Sequence, residues 1–368
     1  MFVKYFPIIG WIKHYTYDDF ANDTVAAIVV TIMLIPQSLA YALLAGLPPE
    51  IGLYASIIPL VLYSIFGTSK TLAVGPVAVI ALMTFAACSK FANPGTTEFV
   101  SISIIIAILS GIILLVMGIL KLGFITNFLS HPVISGFITA SGLIIAASQL
   151  KHIFGINGNG SNLVEILTNL FKNISDISVV TFFIGSVSLL ILYWTKKSFK
   201  AFLINLKMSE FFSALISRTG PVIAVIITTS FVWFFGLGEN NVSIVGSIPK
   251  GLPVIKFPEI TLDIFLELFI PAMLISIVGY VETVSIAQTL AAKRREKIDH
   301  NQELIALGFS NFGSGLSGGL PVTGGFARSV VNFDAGAKTP AAGALTAIGI
   351  AFSTLFLTPL LFYLPKAT

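Results

Sequence analysis

Charge is scarce in this chain: Asp, Glu, Lys and Arg make up 10% of its 368 residues, against 55% hydrophobic residues. A water-soluble domain cannot bury that much apolar surface, and a mean hydropathy of +0.94 points to lipid as the solvent. The single cysteine, Cys88, excludes an internal disulfide and a thiolate metal cluster. The histidines, His14, His131, His152 and His300, have no partners at metal-ligand spacing, so no metal site is expected. No Gly-rich phosphate loop ending in Gly-Lys-Ser/Thr occurs, which removes ATP as an energy source within the chain. No nucleophile–base pair stands out, so no catalytic residue is assigned and no cofactor is implied. Basic stripes with interleaved aromatics are missing as well. The net charge of +4 therefore reads as loop cations on one side of a bilayer, not as nucleic-acid binding. Residues 1–20 hold Trp11, His14, Asp18 and Asp19 and no long apolar stretch. No cleaved leader is expected, and the first helix is expected to act as its own insertion signal.

What the chain does have is apolar runs, at 24–45, 51–66, 76–91, 99–120, 124–147, 177–195, 220–237, 264–291, 302–318, 325–337 and 340–363. These eleven segments, two of them half-length, predict an all-α polytopic membrane protein. Asp18 to Asp23 are expected to supply acceptors for the start of the first helix. Pro36 is expected to kink it. Residues 155–162 read as a polar loop. Residues 239–261, broken by Pro249, Pro253 and Pro258, read as a connector between two halves, 1–262 and 263–368. With the N-terminus in the cytoplasm and every run counted as a crossing, fourteen lysines and arginines fall on the cytoplasmic side and six on the other. Arg328 is left inside the membrane. Each half has a long helix, a second helix, an extended piece and a half-helix, and the halves start on opposite sides. That parity is what an inverted-topology repeat requires.

The two half-length runs carry the strongest functional signal. Leu72-Ala-Val-Gly-Pro-Val-Ala and Gly319-Leu-Pro-Val-Thr-Gly-Gly-Phe-Ala-Arg each read as a short extended piece, a Gly or Pro break, and a helix too short to span. Paired breaks at matched depth predict two helix N-termini meeting near the midplane, with unpaired N–H groups for an anion. Gly75-Pro76 and Gly324-Gly325 are the openings: Pro suits a first helical turn, and Gly permits close approach. Arg328 sits in the first turn of the second half-helix. At membrane depth it needs a cavity or a partner, so it reads as a fixed charge for an anion or as half of a structural ion pair. Glu282, midway along the run 264–291, reads as a proton or cation coupling site, or as the acid that pairs with Arg328. Gln37 and Tyr41, four apart, share a helix face beside Pro36. They line a cavity or hydrogen-bond between helices.

Several of these pieces together resemble the sulfate permease (SulP) family. They are Tyr17-Asp-Asp-Phe-Ala-Asn-Asp-Thr-Val, Ile35-Pro-Gln-Ser-Leu-Ala-Tyr-Ala, Gly52-Leu-Tyr-Ala-Ser-Ile-Ile-Pro, Phe66-Gly-Thr-Ser-Lys, Asp299-His-Asn-Gln-Glu-Leu and Gly324-Gly-Phe-Ala-Arg-Ser-Val-Val-Asn. The resemblance runs from about residue 10 to the end. It implies a seven-plus-seven inverted-repeat transporter whose half-helices are preceded by short strands, with a core domain moving against a gate domain. It implies an anion site built from Gln37, Tyr41, Val77, Ala78, Gly325, Phe326, Ala327 and Arg328, with Glu282 at the position used for proton or sodium coupling. The implied cargo is sulfate, bicarbonate, chloride or a dicarboxylate, carried by a homodimer in a bacterial inner membrane or a plasma membrane. Gly325 and Ala327 stand where the family's sulfate carriers often have serines. The resemblance also implies about three further segments and a STAS domain beyond Thr368. A nucleobase or uracil-type permease of the same architecture, or an anion channel or membrane motor, are the competing expectations.

Overall fold

The computed structural model describes residues 5–128, 131–156, 163–217, 219–239, 242–249, 251–253 and 262–368. Residues 157–162 of the expected polar loop and 254–261 of the expected connector lie outside the described residues. In chain order the first elements are helices α1 (Ile8–Ile12), α2 (Tyr17–Leu44), α3 (Pro49–Tyr54) and α4 (Ile58–Phe66), strand β1 (Val74–Gly75), and helices α5 (Ala78–Cys88) and α6 (Thr97–Ile119). Helices α7 (His131–Phe154), α8 (Leu163–Lys172), α9 (Val179–Trp194), α10 (Lys200–Asn205), α11 (Glu210–Ser217) and α12 (Gly220–Phe234) follow. The last elements are α13 (Leu262–Lys293), α14 (His300–Leu316), strand β2 (Thr323–Gly324), α15 (Phe326–Asp334) and α16 (Ala341–Phe356). Each of the eleven apolar runs contains a helix. Among the described residues, five helical stretches are long and apolar enough to cross a bilayer, and four shorter ones are apolar.

Local chemistry moves several boundaries. α2 starts at Tyr17 because Thr16 and Asp19 form a reciprocal capping box. Asp23, expected among the capping acceptors, does not cap: its carboxylate accepts from Lys338 and Thr339 instead. α2 runs on as one helix through Pro36. The run 51–66 is two helices, because Pro59 suits the first turn of α4 but cannot continue a helix from α3. In the run 124–147, a 3₁₀ stretch at Leu122–Phe128 comes first, and α7 begins at His131-Pro132. The last run stops being α-helical at Phe356, just before Pro359. α1, α8, α10 and α11 were not expected. Each is ten residues or fewer, which a search for long apolar runs passes over.

The chain forms two compact units. Unit 1 is Met1–His131 with Gly251–Leu355, and unit 2 is Pro132–Lys250 with Phe356–Thr368. In unit 1, α14 lies against α6 at close range. A Cβ at Gly308 would sit 2.9 Å from Leu115 N, and one at Gly315 would sit 3.0 Å from Ile104 O. In lipid there is no water to drive apolar faces together, so small residues and buried hydroxyls supply the association. Ser276 of α13 donates to Ser110 of α6 at 2.9 Å. Ile105, Ile106, Leu109, Leu304 and Leu307 fill the same core. In unit 2, Ile184 of α9 and Val232 of α12 are buried in one cluster. Its C-terminal segment pairs back onto residues 243–246, with Val245 N donating to Leu364 O and Lys366 N to Ser243 O, each at 2.8 Å.

Candidate functional site

β1 and β2 pair antiparallel, Val74 opposite Gly324 and Gly75 opposite Thr323. Gly325 N extends the ladder to Ala73 O at 3.1 Å. Each strand runs within a few residues into a half-helix, so the antiparallel pair sends α5 and α15 off its two opposite ends. Val77 and Gly325 are their N-caps, both in extended backbone, and neither donates or accepts a side-chain capping bond. A helix's first N–H groups have no partner inside the helix. Those of Ala78–Ile80 and Phe326–Arg328 therefore stand free at the two tips, each carrying the positive end of a helix dipole.

Polar residues in apolar surroundings fix the tips. Thr283 and Thr323 share a 2.6 Å hydrogen bond, and Gly324 N donates to Thr283 Oγ1 at 2.9 Å. Asn311 grips Val322 at both its N–H and its carbonyl. Ser329 Oγ accepts from Ala73 N at 3.0 Å, and Asn332 Nδ2 donates to Thr71 O at 3.0 Å, so α15 holds the strand that leads into α5. Glu303, fully buried, accepts from Thr68 N, Thr68 Oγ1, Ser69 N and Tyr63 Oη, and secures the loop before β1.

Arg328 crosses between the tips. It is 1% exposed, and its Nη1 donates to Pro76 O at 2.5 Å, one residue before the cap of α5. Its Nε and Nη2 are buried without a hydrogen-bond partner. Gly325 makes this posture possible: a Cβ there would meet Arg328 Cζ and Nη2 at 2.6 Å. The ion pair with Glu282 is not formed. The ion pairs among the described residues are Lys70–Glu296 and Lys200–Glu210. Glu282 Oε2 is buried with no hydrogen-bond partner, and Glu282 and Tyr41 both lie within electrostatic reach of Arg328. Such an edge of two parallel N–H donors matches an oxyanion.

All the residues singled out from sequence lie in unit 1. Val77, Ala78, Gly325, Phe326, Ala327 and Arg328 come together through the strand pair. Phe326 is 59% exposed at its tip. Gln37 and Tyr41 are half-buried on one face of α2, and no hydrogen bond among the described residues ties their side chains to the tips. Thr283, Asn311, Ser329 and Asn332 were not singled out. Their signal was present: polar residues three apart inside helices, Asn311 with Ser314 and Ser329 with Asn332, share a face.

A sequence profile of the Sulfate permease family matches residues 20–368. "Sulfate transporter 4.1, chloroplastic" of Arabidopsis thaliana is 39% identical over 363 residues, covering 98% of this chain and 51% of its own length. The murine Solute Carrier 26 family member A9 anion transporter superposes with a TM-score of 0.84 at 27% identity, over 99% of this chain and 61% of its own. The transmembrane domain of the cyanobacterial bicarbonate transporter BicA does so with 0.83 at 21% identity, over 96% and 87%, which speaks to the fold alone. The chain spans about half the length of the curated relatives it matches. The architecture is the inverted-repeat transporter fold of a multi-pass integral membrane protein, and the relatives are transporters, not enzymes. On a match of this extent, the chain belongs to the sulfate permease family.

Proposed function

We propose that this protein is a secondary active transporter of a small anion, working by alternating access. One observation carries the reading: two uncapped helix openings meet through an antiparallel strand pair, beside the unpartnered Nε/Nη2 edge of a buried arginine. In a low-dielectric site, backbone N–H groups and a fixed cation attract an anion far more strongly than in water. N–H groups of Ala78–Ile80 and Phe326–Ala327 hold the anion, and Arg328 adds positive potential. Gln37 and Tyr41 line the approach. Glu282, desolvated and without an ion-pair partner, is the coupling position for a proton or sodium. Residues 1–262 and 263–368 belong to the two repeats, with the N-terminus cytoplasmic as the lysine and arginine bias favours. Sulfate is the first substrate to test, because the plant relative is named a sulfate transporter. A nucleobase site would need acceptors for ring N–H groups, whereas these tips present donors.

The test is uptake by the full-length protein in liposomes, with radiolabelled sulfate, bicarbonate and succinate compared with and without a proton or sodium gradient. Saturable, gradient-dependent uptake of at least one anion is expected. Ohmic, unsaturable conduction, or no flux of any of the three, overturns the reading.

A further inference from the structure

Far from the tips, the other end of α15 is held by an unusual concentration of charge. α15 ends at Asp334 with Gly336 at φ 97°, a left-handed position that suits glycine. Ala337 N bonds back to Asn332 O and Gly336 N to Phe333 O, which closes the helix in a Schellman turn. Arg294, the residue after α13, reaches this turn. Its Nη1 donates to Ala337 O at 2.5 Å and its Nη2 to Phe333 O at 3.1 Å, and its guanidinium lies 4.4 Å from the centre of the Phe333 ring. A cation there also complements the negative end of the α15 dipole.

The next two residues are claimed by α2. Asp23, fully buried, accepts from Lys338 N at 2.7 Å, Thr339 N at 3.1 Å and Thr339 Oγ1 at 2.6 Å. Its remaining bond comes from Tyr15 Oη at 3.2 Å. Burial and the neighbouring Asp23 carboxylate push the Tyr15 hydroxyl up, so it stays a protonated donor. Residues 333–339 therefore form a foot on which three helices meet. α2 carries Gln37 about 21 Å up the helix from Asp23, and α13 carries Glu282 about 18 Å back from Arg294, at 1.5 Å per residue. α15 itself carries Arg328.

We infer that Asp23 and Arg294 are positioning residues: by clamping the foot of α15 to α2 and α13, they hold Arg328 in register with Tyr41 and Glu282. The strand pair and the bonds of Ser329 and Asn332 fasten α15 to residues 71–75, and the foot fastens it to α2 and α13. Without the foot, α15 rocks on that one segment, and Arg328 keeps a single bond, to Pro76 O, to hold its guanidinium in place. The inference rests on the anion site proposed above for its functional consequence, but its structural part stands separately.

The experiment uses the full-length protein with Asp23→Asn, Arg294→Ala and Arg294→Lys. Asp23→Asn keeps the oxygen that receives both N–H groups. Arg294→Lys keeps the charge without the fork that bonds two carbonyls. Hydrogen exchange across residues 326–339 and steady-state uptake of sulfate, bicarbonate and succinate are measured on monodisperse protein. Faster exchange in α15 and a KM raised by roughly tenfold with kcat little changed are expected for Arg294→Ala, with partial recovery in Arg294→Lys. A bolt that served stability alone would lower the thermal midpoint and leave the KM of the folded protein where it was. Wild-type α15 exchange and wild-type KM in Arg294→Ala and Asp23→Asn overturn the inference. Should Arg294→Ala not fold, Arg294→Lys and Asp23→Asn decide by the same two readouts. A wild-type protein that transported none of the probes would count against the anion reading, and exchange, which needs no substrate, would still decide whether the foot holds α15.

Discussion

α5 opens after Val74–Gly75 and carries no charged side chain; its polar groups are Thr84 and Cys88. α15 opens after Thr323–Gly324, is two residues shorter, and carries Arg328, Ser329, Asn332 and Asp334. The openings match in geometry, since one strand pair builds both, but the bodies differ in how they are held. α5 is a packed apolar peg whose leading strand is secured by other elements, by Ser329, Asn332 and the Glu303 clamp. α15 carries two of those partners, Ser329 and Asn332, and is itself held at its foot by Asp23 and Arg294. An inverted repeat thus doubles a backbone shape without doubling its chemistry. The first half-helix supplies dipole and N–H groups. The second supplies those and also the cation and the polar fasteners.

The largest test of that division is Arg328→Ala. If the charge on α15 dominates, uptake in the full-length protein falls by roughly 100-fold, as expected for a lost buried charge contact to an anion. Arg328→Lys keeps a cation but loses the planar edge, and about a tenfold loss is expected. Unchanged uptake in Arg328→Ala would mean that the two dipoles suffice and that the halves are equal after all.

Gly325→Ala comes next, with Gly75→Ala as its counterpart on the other strand. A Cβ at 325 would lie 2.6 Å from Arg328 Cζ and Nη2, whereas one at 75 would lie 3.3 Å from Nη2. The guanidinium must leave its place in the first variant and give by a few tenths of an ångström in the second. Anion affinity, measured by isothermal titration with sulfate, is expected to drop about tenfold for Gly325→Ala and about twofold for Gly75→Ala. Equal effects would show that the arginine's position is not what the anion reads.

Much of this comparison could be read before the structure, for a physical reason. Breaks in apolar runs are backbone events, written in Gly and Pro, and they marked both openings. Arg328 and Glu282 stood out because charge is rare in lipid. What escaped was partnership. Asp23 reads as a helix-start acceptor beside Asp18 and Asp19, and only the fold shows that two of its partners, Lys338 and Thr339, lie more than three hundred residues away. Arg294 sits in a basic loop among Lys293 and Arg295 and looks like one more positive-inside residue. A Glu282–Arg328 pair, one of the two readings open for these residues, was a plausible match of opposite charges, and the structure instead spends Arg328 Nη1 on the Pro76 carbonyl. Hydropathy gives the order of segments, but not which polar atoms find each other across them.

Glu282→Gln tests whether coupling belongs to neither half-helix. Glu282 sits on α13, next to Thr283, which holds β2. Loss of proton- or sodium-gradient dependence, with sulfate affinity within about twofold of wild type, is the expected outcome. Gradient dependence that survives intact would move coupling elsewhere in the protein.

The smallest effect separates the two half-helices by stability alone. Ser329 of α15 and Thr84 of α5 are both fully buried hydroxyl residues. Thr84 Oγ1 donates to Ile80 O one turn back, a carbonyl that the helix already satisfies. Ser329 Oγ accepts from Ala73 N, which has no other place to go once the serine is removed. Ser329→Ala leaves that buried donor unmatched, at a cost of about 1–3 kcal/mol, while Thr84→Val is close to neutral. Thermal unfolding of the two variants in the same detergent is expected to show a lower midpoint for Ser329→Ala only. Equal midpoints would mean that α15 does not fasten the strand leading into α5, and the asymmetry between the half-helices would then rest on Arg328 and the foot.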